Sequence, residues 1–244
     1  MNANKPTLHT VLSPALLHLY DIDDAVVVII DVLRATSTIA TALYNGASCV
    51  MPVDSVEKCI TVGKSVNGIT AGERDGKVIE GLQHGNSPFE YGRNFIEHKT
   101  LVLTTTNGTR LLYMTLEKGA KTIITGAFAN ISSVVDYLTS RQQNVILACA
   151  AWKNRVNIED TLFAGAVIDK VKDHFQIHCD SSGMAHSLYK EGAQDLYAFI
   201  KSKNASHYMR LSAYGLEKDI QHCLIPDTAN VLPFYNDGKL CIIS

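Results

Sequence analysis

Short apolar runs alternate with amphipathic stretches along most of the chain, and each run stops at a polar cluster. The sharpest is AVVVII at 25–30, mostly β-branched and ended by Asp31. It is too short to span a bilayer and fits a strand buried on both faces. Thr36, Ser37 and Thr38 then open a pattern of Ile39, Ala40, Leu43 and Tyr44. Hydroxyl residues favour helix starts, so a helix is predicted from here to Asn45-Gly46.

The same alternation recurs. Strands are predicted at Cys49–Val53, Leu101–Thr104, Lys121–Thr125 and Asn144–Ala150. Helices are predicted at Val56–Val66 (behind an Asp54/Glu57 capping box), through Leu111, Leu112 and Leu116 to Gly119, through Val134, Val135 and Leu138, and at Thr161–Asp173. An edge strand near Leu8–Leu12 and a short helical turn around Pro14–Tyr20 precede them. Helical patterns at Met184–Lys201 and Ser206–Leu216 follow, whereas Asp219–Leu224 has no clear period. Val231–Tyr235 and Leu240–Ile243 flank Asn236-Asp237-Gly238-Lys239, a hairpin signal. Strand–helix alternation predicts an α/β fold: three α/β/α layers around a largely parallel sheet. The stretch 69–92 breaks the pattern, with five glycines, several charges and little periodicity. It reads as a functional loop or a disordered one, ending in a capping box at Ser87-Pro88-Phe89-Glu90 that starts another helix.

The polar clusters gather where strands give way to helices. In open α/β sheets that rim binds ligands, and helix N-termini attract anions. Asp31 and Arg34 stand there with Thr36 and Ser37, and Thr106-Asn107-Gly108-Thr109-Arg110 repeats the arrangement in kind. The latter loop lacks Gly-Lys-Ser/Thr, so it is not read as a nucleotide site. Asn86 and Ser87 form a further turn at a helix start. Glu73 and Arg74 lie in the glycine-rich stretch, as site residues or as a surface ion pair. Glu159 and Asp160 fall at a helix start, where acids also serve simply to balance the helix dipole. A site role stays open for His84 and His186; the other histidines read as structural or surface residues.

Composition narrows the class. Charged residues make up 19% of the 244, with 22 Lys and Arg against 24 Asp and Glu, and no basic run carries interleaved aromatics. Nothing here predicts a nucleic-acid partner. No apolar run approaches the ~20 residues of a membrane helix, and the first twenty residues lack a signal-peptide pattern. The six cysteines form no Cys-x-x-Cys pair, which suits free thiols in a cytoplasmic protein. Arginines and helix N-termini suit phosphate or sulfonate oxygens. Carboxylates without clustered His or Cys suit Mg²⁺. Together they predict phosphoryl chemistry on a small anionic substrate. Haloacid-dehalogenase-type phosphatases place Asp-x-Asp-x-Thr after an apolar strand; Asp31-Val32-Leu33-Arg34-Ala35 lacks the second Asp.

DVLRATST (31–38), GERDGK (72–77), EGLQHGNSPFEY (80–91), TTTNGTR (104–110), GAFAN (126–130) and IEDTLFAG (158–165) occur in this order. With these motifs the chain resembles the 2-phosphosulfolactate phosphatase family over nearly its whole length. The resemblance implies Mg²⁺-dependent hydrolysis of 2-phospho-3-sulfolactate to 3-sulfolactate and phosphate, an early step where coenzyme M is made. It implies a single unit over 1–244, built as two α/β halves that meet near 120–130 with the site between them; a homodimer stays open. Asp31, Arg34 and Glu73 are the expected catalytic groups, and Asp31, Glu73 and Asp160 the expected Mg²⁺ ligands. Arg34, Thr36, Ser37, Arg74, Asn86, Ser87, Thr106, Asn107, Gly108 and Thr109 are expected to bind substrate. Gln83 stands where the family usually has Asp, which keeps two alternatives in view: a different phosphorylated hydroxy acid as substrate, or a non-catalytic anion-binding homologue.

Overall fold

The structure is a computed structural model describing residues 5–74 and 77–242. Asp75 and Gly76 of the GERDGK motif, and Ile243 of the last predicted strand, lie outside the described residues. The strands are β1 (Leu8–Val11), β2 (Val26–Ile30), β3 (Cys49–Val53), β4 (Ile69–Arg74), β5 (Lys77–Val78), β6 (Thr100–Thr104), β7 (Thr122–Gly126), β8 (Val145–Cys149), β9 (Pro233–Asn236) and β10 (Lys239–Ile242). The helices are α1 (Ala35–Tyr44), α2 (Val56–Ser65), α3 (Arg93–Ile96), α4 (Gly108–Glu117), α5 (Ile131–Ser140), α6 (Ile158–Val171), α7 (Asp180–Gly192), α8 (Leu196–Ser202), α9 (Ser206–Ala213) and α10 (Glu217–Cys223).

One mixed, mostly parallel sheet runs in the order β1-β8-β2-β7-β9-β10-β3-β6-β4-β5. β1, β8, β2 and β7 form one parallel block, and β3, β6 and β4 another. The β9–β10 hairpin joins them, antiparallel on both sides, through Ile124↔Phe234 and Leu240↔Val50. The blocks therefore run in opposite senses across the hairpin.

Both blocks are covered on both faces, which is why their strands read as continuous apolar runs. In β2, Val26, Val28 and Ile30 pack with Val134 of α5 and Leu162 and Val167 of α6. Val27 and Ile29 face the other way, onto Leu111 and Leu112 of α4 and onto Leu17. In the second block Val50, Leu101 and Leu103 pack with Ile39 of α1 and Ile96 of α3. Val53 and Val102 pack with Cys59 of α2 on the opposite face. This is the predicted three-layer arrangement. All six cysteines are unpaired thiols, and among the described residues no helix is long and apolar enough to cross a membrane.

Several local expectations shift. The stretch read as irregular from Ile69 starts with β4, parallel to β6. Its period is masked because tight packing demands small residues. A Cβ on Gly72 would lie 2.8 Å from the Thr104 carbonyl oxygen, and one on Gly63 would lie 2.3 Å from Thr70 Cγ2. The helix expected behind Ser87-Pro88 is a single 3-10 turn, Pro88–Glu90, followed by α3. Ser55, not Asp54, caps α2, accepting from the Lys58 N–H. Arg34 stands at the α1 cap, so the hydroxyls expected there fall inside the first turn. The helix predicted over 184–201 is two: Gly192 packs on the Phe199 ring, and Asp195 restarts the chain as the cap of α8. The segment without a clear period is α10.

Candidate active site

The carboxyl ends of four strands, two from each parallel block, converge on one pocket. β2 supplies Asp31, Leu33 and Arg34, β4 supplies Glu73 and Arg74, β6 leads into Thr105-Thr106-Asn107, and β8 leads into Trp152 and Lys153. Asn86 closes one side, and His207, Arg210 and Leu211 of α9 close another. Since the two blocks run in opposite senses, these strand ends do not lie along one continuous rim of the sheet.

Asp31 sits at the base. Its backbone is pinned by α1: the Thr36 N–H donates to the Asp31 carbonyl at 2.9 Å, and the Asp31 N–H donates to Thr36 Oγ1 at 3.1 Å. Ser37 donates its hydroxyl to the Val32 carbonyl at 2.8 Å. Burial pushes the Asp31 carboxyl up to about 6. The positive edge of His207 opposes that shift, the nearby Glu159 charge adds to it, and the N–H groups of Ala35 and Gly108 oppose it.

Below Asp31 lies a second layer of buried acids at the start of α6. Val32 N–H donates to Asp160 Oδ1 at 2.9 Å and Ala151 N–H to Oδ2 at 3.2 Å. Asp160 thus braces the exits of β2 and β8 against each other. Burial, then the neighbouring Glu159 and Asp31 charges, hold its carboxyl well above the ordinary range. Glu159 Oε1 contacts His207 Nδ1 at 2.5 Å, while Glu159 Oε2 is buried with no hydrogen-bond partner.

The cations divide into two kinds. Arg34 is buried and already matched: Nη1 donates to Asp219 Oδ2 of α10, and Nη2 lies 3.6 Å from Glu73 Oε2. Arg74, Lys153 and Arg210 line the pocket with no carboxylate paired to them among the described residues. Lys153 and Arg210 each lie 4.8 Å from the Trp152 ring centre, so the indole is a platform that holds two positive groups in place. Asn86 Oδ1, buried at the pocket wall, has no hydrogen-bond partner among the described residues. Three cations without a carboxylate partner among the described residues, and an amide oxygen without a hydrogen-bond partner among them, suit a multiply charged anion.

Of the residues singled out in the sequence, Asp31, Arg34, Glu73, Arg74, Asn86, Thr106 and Asn107 line the pocket. Thr36, Ser37, Gly108 and Thr109 stand behind its wall, supporting Asp31 and the start of α4. The Thr109 hydroxyl is spent on the Thr105 carbonyl at 2.6 Å. Ser87 lies outside the pocket lining, its N–H donating to Glu90 Oε1 at 3.2 Å. His84 pairs with Glu90 and stacks near Phe95, and His186 pairs with Asp169, so both serve packing. Gln83 also lies outside the pocket: its side-chain carbonyl accepts from the Thr70 N–H at 2.9 Å and holds the edge of β4. The sequence pattern did not point to His207, Arg210 and Asp219, which come from helices far along the chain.

For Mg²⁺, among the described residues no three His, Cys, Asp or Glu side chains converge as a metal site. Asp160 stands apart from the expected ligand set, because each of its oxygens is held by a backbone N–H. Asp31 and Glu73 line the same pocket. Two hard carboxylates suffice for Mg²⁺, which commonly completes its shell with waters and substrate oxygens. That donor pair fits the ion.

Comparison with known proteins agrees with the geometry. A family model described as 2-phosphosulpholactate phosphatase matches residues 11–238. A protein of Thermotoga maritima named "Probable 2-phosphosulfolactate phosphatase" is 41% identical over 214 residues, covering 86% of this chain and 89% of that one. One of the same name from Caldanaerobacter subterraneus subsp. tengcongensis is 37% identical over 222 residues, covering 89% of this chain and 90% of its own. With a strand-end pocket that gathers cations around a buried aspartate, and a match of this extent, the chain belongs to the 2-phosphosulfolactate phosphatase family.

Proposed function

We propose that the protein hydrolyses 2-phospho-3-sulfolactate to 3-sulfolactate and phosphate with Mg²⁺, as a step in making a sulfonated metabolite of the coenzyme M type. The observation that carries this reading is that Arg74, Lys153 and Arg210, with no carboxylate partner among the described residues, line the same pocket as buried Asp31. A substrate with phosphate, carboxylate and sulfonate groups needs several positive partners, and arginine forks suit such oxyanions. The backbone at Thr106-Asn107, at the start of α4, adds donors of the kind that bind phosphate. Asp31 and Glu73 would hold Mg²⁺, which supplies charge neutralisation at the phosphoryl oxygens. Asp31, fixed at both its carbonyl and its N–H by Thr36, presents a carboxylate in a rigid position. The Gln83 departure carries little weight against this substrate, since that side chain braces β4 outside the pocket.

Phosphate release from 2-phospho-3-sulfolactate, from other 2-phospho acids and from simple alkyl phosphates, with Mg²⁺ and after exhaustive chelation, tests the reading. Fast, chelator-sensitive turnover of the sulfonated substrate is expected. Preference for an unsulfonated acid would move the substrate, full activity after chelation would remove the metal, and no turnover would leave an anion-binding protein.

A further inference from the structure

His207 belongs to α9, and its side chain closes one wall of the pocket that holds Asp31. Nothing in the local sequence marks it, yet its surroundings are unusual. Nδ1 meets Glu159 Oε1 at 2.5 Å, and both side chains are buried, His207 at 6% exposure and Glu159 at 0%. Among the described residues no hydrogen bond engages Nε2. Glu159 Oε2 is buried and has no hydrogen-bond partner among the described residues. A carboxylate buried with one oxygen unsatisfied is costly, and such groups are retained where charge is needed. Here the charge is aimed at one imidazole. A carboxylate on Nδ1 fixes the ring orientation and leaves Nε2 as the nitrogen available to the pocket that His207 lines.

The proposed reaction has a matching need. Hydrolysis of a secondary alkyl phosphate expels an alkoxide, a strongly basic leaving group that requires a proton as the P–O bond breaks. In the phosphatase reading Asp31 serves the phosphoryl side as a metal ligand, which leaves the proton for the leaving oxygen to another group. Arg34 is committed to Asp219 and Glu73, and Arg74, Lys153 and Arg210 are suited to holding oxyanions.

We propose that His207, oriented by Glu159, is the proton donor to the leaving oxygen of the substrate. This inference rests on the phosphatase reading. When the ester P–O bond breaks, its electron pair passes to the substrate oxygen at C2, and the Nε2 proton joins that oxygen to give the alcohol. Water supplies the oxygen that enters phosphate, and one of its protons restores the imidazolium. Glu159 does not touch the substrate; it is a positioning residue that acts through the ring.

The test uses leaving groups. His207→Asn keeps a donor near the Nδ1 position for Glu159 but has no group at Nε2, and Glu159→Gln keeps the shape while removing the charge. Thermal unfolding identifies which variants are folded, and either one suffices for the test. For a folded variant, kcat/KM for 2-phospho-3-sulfolactate is expected to fall ~100-fold or more. For p-nitrophenyl phosphate, whose leaving group needs no proton, it is expected to stay within ~5-fold. The bridging-oxygen ¹⁸O isotope effect on kcat/KM for the sulfonated substrate should also rise in His207→Asn, because charge then builds on the leaving oxygen. Equal losses on both substrates with an unchanged isotope effect, or no loss on either, would overturn the assignment and leave His207 as a binding or packing residue. Wild-type protein that releases no phosphate from either substrate overturns the phosphatase reading, and this assignment with it.

Discussion

Gly108 backs directly onto Asp31: a Cβ at position 108 would lie 2.8 Å from Asp31 Oδ2 and 3.4 Å from its Cβ. The backbone at 108 is not left-handed, so the glycine is there for this approach and not for its φ. Its N–H faces the Asp31 carboxylate. Gly108→Ala is therefore expected to displace that carboxylate. Displacements near 1 Å cost ~100-fold in rate. The check is kcat together with thermal unfolding; a folded Gly108→Ala variant with wild-type turnover would mean that the Asp31 position is not critical.

Asp31→Asn separates chemistry from stability. The buried carboxyl is held up to about 6, against 3.8 for an ordinary aspartate. The folded protein thus keeps a proton that the unfolded chain releases. Stability falls as pH rises from about pH 4 to about pH 6, and this group adds nothing further above that. The shift corresponds to roughly 3 kcal/mol. Asp31→Asn lacks this loss, so in chelator it should gain on the wild type across that window while kcat collapses by orders of magnitude. Urea unfolding at the two ends of the window measures the first effect. Parallel curves for the two proteins would show that Asp31 is ionised throughout. For the second, near-normal turnover would remove Asp31 from the reaction.

Arg34 and Asp219 are expected to be coupled. Both are buried, and removing one leaves the other's charge without its counterpart, at a cost of ~3–5 kcal/mol. Arg34→Lys should also lose activity, because one ammonium lacks the fork that spans Asp219 and Glu73. A double-mutant cycle on Arg34→Ala and Asp219→Ala measures the pair directly. Additive effects would assign Arg34 to the substrate alone.

Arg210→Ala and Lys153→Ala should raise KM for a sulfonated or carboxylated phosphoester by ~10-fold or more, one charge-assisted bond being worth about 1.5–3 kcal/mol. A neutral alkyl phosphate should be affected less. Equal effects on both substrates would place these cations at the phosphate instead.

The parts legible in the sequence were those written in apolar runs. Asp31 stood out because it ends a strand buried on both faces, and Thr106-Asn107 because it follows the same signature. His207, Arg210 and Asp219 were hidden for a physical reason. On a helix, a polar residue that faces a pocket has the same spacing as one that faces solvent, and α9 and α10 lie far beyond β6, which ends at Thr104, starting only at Ser206 and Glu217. β4 escaped notice because close packing replaced its β-branched residues with Gly72 and Ala71. Asp160 and Glu159 stand side by side at the start of α6 but divide their tasks: both Asp160 oxygens accept from backbone N–H groups, whereas one Glu159 oxygen meets an imidazole. Only side-chain direction separates them.

The β9–β10 hairpin has a consequence for how the chain reaches this state. Every other strand precedes it in sequence, yet it occupies the middle of the sheet. Until residues 233–242 are seated, β7 and β3 are two unprotected edges, the kind of surface on which chains pair with one another. The halves of the pocket then lack the strand pairing that joins their two blocks. Assembly of the site is deferred to the last pairing, between segments more than a hundred residues apart, which favours slow folding with an association-prone intermediate. A chain cut before Val231 should accumulate as oligomers while retaining most of its helical and strand signal.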